Sequence, residues 1–579
     1  MNSTNVPSTN GTDVIPFIPN TGDTSFMMVS VALVFIMTPG LGFFYAGMVG
    51  AKSITGTLLQ SLTAVTIVLV QWWFIGYTLA FGPGGGPIVG SLKYFMLLDD
   101  EIYTSAHPAA PTVPNSCYMS YQAMFATITP ALITGSMAER VHFRTYLLFL
   151  LLWSTLVYCF VAHWVWSPDG WLFKLGIMDL AGGLPVHTAS GMSGLVFSIL
   201  LQRRNGYNSW LDVIKDKIKN FLLGIFCRSK RKTVRRRSVT DEYPSTDVSS
   251  STSPSSDVIS ELTHDDDFVL EENFDADKQN IPFVVLGAGL LWFGWLGFNS
   301  ASTVQSGRYA SVALANTNFA AAAGSLAYMI YDWIVDGRPT ALSICNGCVI
   351  GLVAITPSAG FVFPTVAIFI GFSAGMIVAV VIKIKVNIID DTLDAFAIHG
   401  VGGAYGVLCT SLFGQKVVPA LGGSLVNGGW SDGNWAQLGV HVAGIAATAG
   451  WAIVMTTIIY FILEKIPGLG WSMSKKEQIK GLDAMEHGDE QNVLTKQEKE
   501  IMNRMEKKGR LFNIVRNMKK RSKRKVVQKN IELEETKINI EVESSETPIE
   551  KRKSLFPSFY VNNSPTTPSS PTPLVRFTE

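Results

Sequence analysis

The sequence predicts an all-α, polytopic membrane protein, and three observations support this fold class. Its 579 residues are 48% hydrophobic and only 16% charged. The charged residues are also unevenly distributed. The chain has 46 basic and 45 acidic residues, of which 27 lie in 203–280 and 40 in 464–579, so that 24 are left for the rest of the chain. Soluble proteins carry about 25% charged residues. The remainder is therefore too poor in charge for a water-soluble domain, and it is divided into charge-free runs of membrane-spanning length.

These runs give the number of spans, since crossing the bilayer takes about 20 mostly apolar residues. The run 339–382 is long enough for two spans, divided at the turn cluster 356–360. The prediction is eleven helices, arranged as two inverted five-helix halves and a final helix. The runs are 24–51, 53–92, 102–138, 145–168, 180–202, 279–307, 309–331, 339–382, 395–415 and 433–463.

Lysine and arginine residues predict the orientation, because they accumulate on the cytoplasmic side of a membrane. With the basic tail inside, 42 of the 46 basic residues lie inside. The N-terminus is then outside, where Asn2 and Asn10 match the acceptor pattern for N-glycosylation. The plasma membrane is the expected location, with endosomal or vacuolar membranes as alternatives.

The charge pattern also predicts the domain organisation. The predicted parts are an extracellular segment 1–23, a first half 24–202, a cytoplasmic insertion 203–280, a second half 281–415, an external loop with the eleventh helix 416–463, and a cytoplasmic regulatory tail 464–579. The insertion and the end of the tail are expected to be disordered, because they are polar and poor in apolar residues.

Both polar segments carry candidate contact sites. Ser238 follows three arginines, the pattern of a basic-directed kinase site, although a solvated charge run is the alternative. The basic run 519–525 is suited to anionic lipid. Nucleic-acid binding is not expected of a chain with eleven spans.

Two histidines lie within predicted spans, where ionisable side chains are costly and usually mark a pathway for ions or protons. His187 follows Asp179 in the fifth span, and His399 follows Asp394 in the tenth. Positions five spans apart indicate halves of inverted topology with a pathway at their interface. Glycines beside both histidines allow close helix approach, so the two imidazoles can meet. Taken singly, each histidine could instead be a packing residue that donates a hydrogen bond.

The six cysteines do not indicate a disulfide framework, and only Cys345 and Cys348 form a C-x-x-C pair. This pair lies inside a predicted span without a second pair or a nearby histidine. We therefore expect helix packing rather than zinc binding. No metal or other cofactor is expected.

Four segments resemble the ammonium transporter family, the Amt/Mep/Rh proteins, and in particular its Amt-type eukaryotic members. The most specific is Asp-Leu-Ala-Gly-Gly-Leu-Pro-Val-His from Asp179 to His187, followed by Gly191 and Gly194. The other three, in the family's order, are 134–140, 295–299 and 394–400. The resemblance covers 24–490 apart from the insertion.

The resemblance implies a homotrimer with a pathway for ammonium or ammonia through each subunit, and methylammonium as a further candidate substrate. The residue roles that it implies are external recruitment by Trp166, Ser302 and Asp179, a stacked gate of Phe125 and Phe298, conduction or proton relay by His187 and His399, and regulation by Gly481, Asp483, His487 and Gly488. One extra residue separates Trp166 from Asp179 compared with the usual family spacing. Plant members have a threonine where Met485 stands, so that phosphorylation switch is absent here.

Several residues have structural alternatives. Trp166 could belong to an interfacial aromatic belt, Phe125 and Phe298 could be ordinary core residues, and Asp179 could cap the fifth helix. A sensor that signals through the polar segments is the alternative function. An intramembrane enzyme using His187, His399 and Asp179 as ligands or bases is disfavoured, because no nucleophile or H-E-x-x-H motif accompanies them.

Overall fold

The computed structural model describes residues 17–201, 279–385 and 388–489, which form an all-α, multi-pass membrane protein. Eleven long helices, numbered α1–α11, occur within these ranges. In chain order they are Thr21–Ala46; Ile54–Phe81; Asn115–Met137; Phe143–Trp153 continued by Ser154–Tyr158 and Cys159–Trp166; Gly183–Leu200; Ile281–Ser300; Arg308–Asp336; Ala341–Ile355; Pro364–Lys385; Phe396–Phe413; and Ala436–Lys465. Each predicted span overlaps one of them, which confirms the predicted all-α membrane fold.

Eight of the eleven helices are long and apolar enough to cross a membrane by length and composition alone. The exceptions are α3 and α7, which are less apolar, and α8, which has 15 residues. These three were predicted because their runs lack charge, a criterion that does not require every residue to be apolar. Most of α3 is buried inside the protein, so its polar residues do not face lipid.

The predicted third span began too early. The helix starts at Asn115, and the preceding residues form a hairpin of strand β1, Ala106–His107, and strand β2, Ala110–Pro114. Prolines at 108, 111 and 114 explain the difference, because proline lacks the backbone N–H that a helix needs and fits a strand edge or turn. A charge-free run does not reveal where the helix starts, because proline is uncharged.

Glycines bring α1 and α6 into close contact. A Cβ atom added at Gly287 of α6 would lie 2.2 Å from the backbone nitrogen of Phe44, and one at Gly40 of α1 would lie 2.9 Å from the Cβ of Leu290. Small residues of this kind let membrane helices approach closely. The first helices of the two predicted halves are thus packed backbone to backbone.

The fifth and tenth helices begin in the same unusual way. Gly183–Thr188 opens α5 and Phe396–Val401 opens α10, and both stretches are π-helical. A π-helical turn holds one more residue than an α-helical turn and occurs frequently at functional sites. His187 and His399 lie in these two turns.

Short elements connect the helices. They are Phe95–Leu97, Glu101–Thr104, Trp171–Lys174, Ala301–Thr303, Val417–Ala420, Trp430–Asp432, Lys475–Lys480 and Leu482–Glu486.

Candidate functional site

His187 and His399 are in direct contact although 212 residues separate them. Their Nδ1 atoms are 3.2 Å apart, and the rings are stacked with centroids 5.3 Å apart at 16°. Both side chains are buried. A Cβ atom at Gly191 would lie 2.0 Å from the nitrogen of Gly400, so only glycine permits this approach of α5 to α10.

The contact constrains the protonation of a neutral pair. An Nδ1–Nδ1 hydrogen bond requires that one ring carries its proton on Nδ1 and that the other accepts there. The accepting ring must then carry its proton on Nε2, because a neutral imidazole has one donor and one acceptor nitrogen. The Nε2 of His187 is buried and has no hydrogen-bond partner within the described ranges. The pair therefore offers a donor and an acceptor to a small polar guest.

Two phenyl rings lie next to this pair. Phe125 of α3 and Phe298 of α6 are stacked with centroids 4.0 Å apart at 18°, and the ring of Phe298 is 6.4 Å from that of His187. Both phenylalanines are buried. The stack and the histidines form a continuous column of rings at the contact of the two predicted halves.

Trp166, at the end of α4, lies beside the outer ring of this column. Its ring meets Phe125 edge to face at 5.7 Å, and its indole N–H donates to the backbone oxygen of Asp179 at 3.0 Å. Gly182, at φ +110°, lies against the indole, and a Cβ there would come within 3.3 Å of it. The indole is therefore fixed by the segment that starts α5.

Ser302 reaches the same region from the end of α6. Its hydroxyl donates to the backbone oxygen of Phe298 at 2.8 Å and lies 3.3 Å from the hydroxyl of Tyr121. Tyr121 also packs against Phe125, with centroids 5.0 Å apart. Tyr121 was not among the predicted site residues, although it precedes Phe125 by four residues and so lies on the same helix face.

Asp179 caps α5, as its position suggested. Its two carboxylate oxygens accept hydrogen bonds from the backbone N–H groups of Gly182, Gly183 and Leu184, at 2.9, 2.7 and 2.7 Å. Three donors of this kind satisfy the oxygens of a buried carboxyl group. They also leave it oriented toward the backbone of α5. Within the described residues, no group of three His, Cys, Asp or Glu side chains is placed to hold a metal ion.

Trp295 and Thr356 complete the surroundings of the histidines and were also missed. Trp295 stacks on His187 with centroids 5.4 Å apart, and its indole N–H donates to the hydroxyl of Thr356 at 2.9 Å. In the sequence, Trp295 lies in the family-like segment 295–299 and Thr356 in the turn cluster 356–360, and neither position predicts a contact with the histidines.

A buried charged network lies at the start of α10. Arg140 forms an ion pair with Asp390 at 3.1 Å, and Ser136 donates to Asp391 at 2.6 Å. Lys385 forms ion pairs with Asp391 and Asp394 at 2.9 and 2.8 Å. The network ties the end of α3 and the end of α9 to the turn that carries His399.

The predicted regulatory residues lie elsewhere, on the segment that follows α11. Asp483 accepts hydrogen bonds from the backbone N–H groups of Thr55 and Gly56 at the start of α2, at 3.1 and 2.7 Å. Gly481, at φ +92°, lies against Lys52. The ring of His487 packs on Phe143 of α4 at 4.9 Å.

The fourth of these residues, Gly488, has a φ of +70°, and a Cβ atom added there would meet no described atom within 4 Å. Glu486, on the same segment, lies 2.7 Å from the Nδ1 of His142. These contacts join the segment to the beginnings of α2 and α4. The candidate residues Ser238, Asn2 and Asn10 and the basic run 519–525 lie outside the described residues.

Comparisons with known proteins give one consistent result. A sequence model of the Ammonium Transporter Family matches residues 25–226 and 264–492. "Ammonium transporter 1" of Schizosaccharomyces pombe is 35% identical over 475 residues, which cover 81% of this chain and 82% of that protein. The crystal structure of Candida albicans Mep2 has a TM-score of 0.64 at 31% identity, over 79% of this chain and 88% of that one. A structure described as "Sensor Amt Protein" has a TM-score of 0.62 at 25% identity, over 80% and 98%.

Proposed function

This chain belongs to the ammonium transporter family, and on that premise we propose that it moves ammonium across the membrane as ammonia, along the ring column from Trp166 to His187 and His399. The observation that carries the proposal is the contact of the two buried histidines next to the Phe125–Phe298 stack. The similarity to relatives that are named ammonium transporters supports ammonium as the substrate.

Recruitment of the cation is assigned to Trp166 and Ser302. The face of an indole attracts a cation with about 0.5–2 kcal/mol, and the hydroxyl oxygen of Ser302 is an acceptor for an N–H group. Tyr121 places a second hydroxyl beside Ser302. Asp179 contributes by holding the backbone to which the indole of Trp166 is bonded. Binding of this strength also lets the ion leave.

Ammonium can pass the ring stack where potassium cannot, because it can lose a proton. An intact cation in an apolar passage meets a desolvation cost far above what two neutral imidazoles offset. Ammonia, formed when ammonium gives up one proton, carries no charge. It can accept a hydrogen bond from an imidazole N–H and donate one to an imidazole nitrogen.

The proton has two routes, and they distinguish two forms of the function. If it returns outside, ammonia alone crosses and transport is electroneutral. If it passes through the imidazoles, one charge crosses for each ammonia, driven by about 2.3 kcal/mol per 100 mV. We favour charge-coupled uptake, since a cation site at Trp166 serves an ion rather than a neutral gas.

The test is a voltage-clamp measurement on cells that express the chain. Ammonium is stepped at constant pH, with sodium and potassium as comparisons and the double variant His187→Ala, His399→Ala as control. A saturable inward current for ammonium alone, absent from the double variant, supports charge-coupled transport. A rise of cytoplasmic pH without current indicates electroneutral passage. If both the current and the pH change are absent while the protein is present at the cell surface, the transporter function is excluded.

A sensor of ammonium is the second candidate. The structure described as "Sensor Amt Protein" shares this fold over most of both chains, and the segment after α11 contacts the starts of α2 and α4, which offers a route for a signal. In a sensor, the double histidine variant would lose transport but keep the cellular response to ammonium. Loss of both together would favour transport as the primary function.

Assembly and location complete the proposal. A homotrimer in the plasma membrane is the expected form. Kinase modification at Ser238, contact of 519–525 with anionic lipid, glycosylation at Asn2 or Asn10, and passage of methylammonium stay predictions.

A further inference from the structure

The final helix, α11, lies outside both predicted five-helix halves, yet two of its buried side chains hold the segment Gly176–Asp179. The side-chain amide of Gln437 donates to the backbone oxygen of Gly176 at 2.8 Å. The Nε2 atom of His441, one helical turn further, lies 3.1 Å from the backbone oxygen of Met178. The side chains of Gln437 and His441 are both buried.

The ring nitrogens of His441 have different neighbours. Only a protonated Nε2 can form a hydrogen bond with the carbonyl of Met178, because a carbonyl oxygen is an acceptor. The Nδ1 atom lies 3.4 Å from the amide nitrogen of Gln437 and 2.9 Å from its backbone oxygen. We assign the Nε2–H tautomer to the neutral ring, because only this tautomer gives both ring nitrogens a partner: Nε2 donates to Met178 and Nδ1 accepts from the amide of Gln437. In the charged ring both nitrogens donate, Nε2 to Met178 and Nδ1 to the backbone oxygen of Gln437.

The segment held in this way ends at the acceptor of Trp166. The backbone oxygens of Gly176 and Met178 accept hydrogen bonds from side chains of α11. The next carbonyl oxygen, that of Asp179, accepts a hydrogen bond from the indole N–H of Trp166 at 3.0 Å. Gly176 has a φ of +80°, so the backbone turns where Gln437 holds it. Two hydrogen bonds from α11 and one from the indole therefore end on the same four-residue segment.

Loss of one of these donors frees the segment locally. A buried carbonyl without its donor carries the cost of desolvation, which it relieves by turning toward another donor or water. The carbonyl of Asp179 follows Met178 directly, so its direction changes with that of its neighbour. The capping bonds of the Asp179 carboxylate restrain the other end of the segment and α5 itself.

We infer that His441 and Gln437 are positioning residues for the recruitment site, which set the orientation of the Trp166 indole through the 176–179 backbone. This inference rests on the proposed function. It assigns part of the external affinity for ammonium to α11.

The first test measures ammonium uptake against ammonium concentration, with the protein at the cell surface quantified. His441→Phe and Gln437→Met remove the donor and keep most of the side-chain volume. Each should raise the half-saturating concentration about three- to ten-fold, the effect of losing one hydrogen bond in a buried network. The maximal rate per surface protein should be unchanged, since the histidine pair is intact. His441→Gln, which retains a donor, should restore much of the affinity.

Thr448→Val is the matched control. Thr448 lies on α11 two turns beyond His441, is equally buried, and has a hydroxyl with no hydrogen-bond partner in the described part of the chain. Its replacement should leave the half-saturating concentration unchanged. If His441→Phe does not reach the surface, Gln437→Met applies the same test to the same segment.

A double-variant cycle separates positioning from general damage. Trp166→Phe keeps an aromatic face but has no N–H for Asp179. If α11 acts through that bond, His441→Phe should add little to the effect of Trp166→Phe, whereas independent effects would add.

Four outcomes would overturn the inference while leaving transport established. They are an unchanged half-saturating concentration in both donor-removing variants, a fall of the maximal rate alone, an equal effect of Thr448→Val, and full additivity with Trp166→Phe. A wild-type protein without saturable uptake would instead overturn the proposed function, and this inference with it.

Discussion

At the scale of single residues, Trp166 is engaged on two sides. Its N–H is bonded to Asp179 and its ring packs edge to face with Phe125. A cation contact therefore uses the π face of the indole, which depends on ring shape and position rather than on a side-chain charge. Substitutions of Trp166 can therefore remove either the aromatic face that recruits the cation or the N–H group that positions the ring.

Replacing Trp166 by leucine should weaken recruitment. We expect the half-saturating ammonium concentration to rise about ten-fold, because a cation–π contact of about 0.5–2 kcal/mol is removed. Concentration-dependent current gives the measurement. Trp435→Leu is the control, since Trp435 is 67% exposed at the start of α11. Equal affinities of Trp166→Leu and wild type would contradict the assigned role.

His107, in strand β1 of the connection between α2 and α3, is expected to make this connection sensitive to acid. Its Nδ1 accepts from the backbone N–H of Ala109 at 3.1 Å, and its ring stacks on Tyr118 at 4.7 Å. Burial lowers the pKa of His107 to about 4, against the opposing effect of a hydrogen bond that its ring donates to the backbone oxygen of Phe81. Protonation of Nδ1 would also remove the acceptor for Ala109. The folded hairpin thus favours the neutral ring.

The sign of the pH effect follows. An unfolded histidine has a pKa of about 6.5, so between about pH 6.5 and 4 the unfolded chain binds a proton that the folded chain does not. The free energy of unfolding should fall across this window as pH falls and be constant above it. Thermal unfolding at several pH values measures this. His107→Gln, which does not titrate there, should remove the His107 share of the slope, and an identical slope would contradict the assignment.

The sequence predicted part of the site because some residues carry their own signal. His187 and His399 are ionisable groups within apolar runs, and each follows an aspartate, which is visible without any structure. His441 lies in a run of the same kind, but its partner is a backbone carbonyl 263 residues away. A bond to a carbonyl leaves no pattern of side chains in the sequence. Such positioning residues could not be identified from spacing.

At the scale of elements, the end of α3 and the start of α10 are joined by buried charged side chains. Arg140 and Asp390 are both essentially fully buried. An ion pair in this setting adds less stability than its geometry suggests, but removing one partner is costly. The pair holds the turn before His399 in place.

Arg140→Met should therefore lower the free energy of unfolding by about 3–5 kcal/mol, because the guanidinium charge beside Asp390 is lost. Thermal unfolding in detergent measures the change. The exposed pair of Lys383 with Asp336 provides the control, and Lys383→Met should cost about 1 kcal/mol or less. Equal losses in the two variants would show that burial of the pair is not what matters.

The segment after α11 should detach from the start of α2 when the carboxylate of Asp483 is removed. Asp483→Ala takes away the acceptor of two backbone N–H groups at the start of α2, where a negative charge also interacts favourably with the helix dipole. We expect faster proteolytic cleavage of residues 466–489. Met485→Ala is the control, since that side chain is 38% exposed. Unchanged protection of Asp483→Ala would show that other contacts, such as that of Glu486 with His142, hold the segment.

The elements were predicted more accurately than their ends. Charge-free runs located all eleven long helices of the described ranges, including α3 and α7, whose polar residues are mostly buried among other helices. The start of α3 was misplaced by the proline-containing hairpin. The π-helical openings of α5 and α10 had no signal, because one additional residue in a turn follows from tertiary packing rather than from local propensity.

At the scale of the whole molecule, the contact of α1 with α6 joins the two predicted halves. Gly287→Ala should lower the free energy of unfolding by about 1–3 kcal/mol, since the new Cβ would lie 2.2 Å from a backbone nitrogen that cannot move alone. Gly289→Ala on the same helix has open space around it and is the control. Thermal unfolding in detergent distinguishes them, and equal stability of both variants would argue against a tight contact.

The inverted arrangement of the halves was predicted from parity, since five spans is an odd number. Matching π-helical openings at α5 and α10, and the packing of α1 on α6, are consistent with that arrangement. The bounds of the insertion could be predicted from its charge, but its structure could not, because a segment of this polar composition cannot bury enough apolar surface to fold alone.

The stack of Phe125 on Phe298 has a consequence for the temperature dependence of flux. Centroids 4.0 Å apart leave no room for a molecule between the rings. A pathway that crosses this stack opens only when an aromatic side chain rotates against its packed neighbours. Permeation would then be thermally activated by that rotation, and cooling would slow it more steeply than it slows diffusion through a permanently open, water-filled channel.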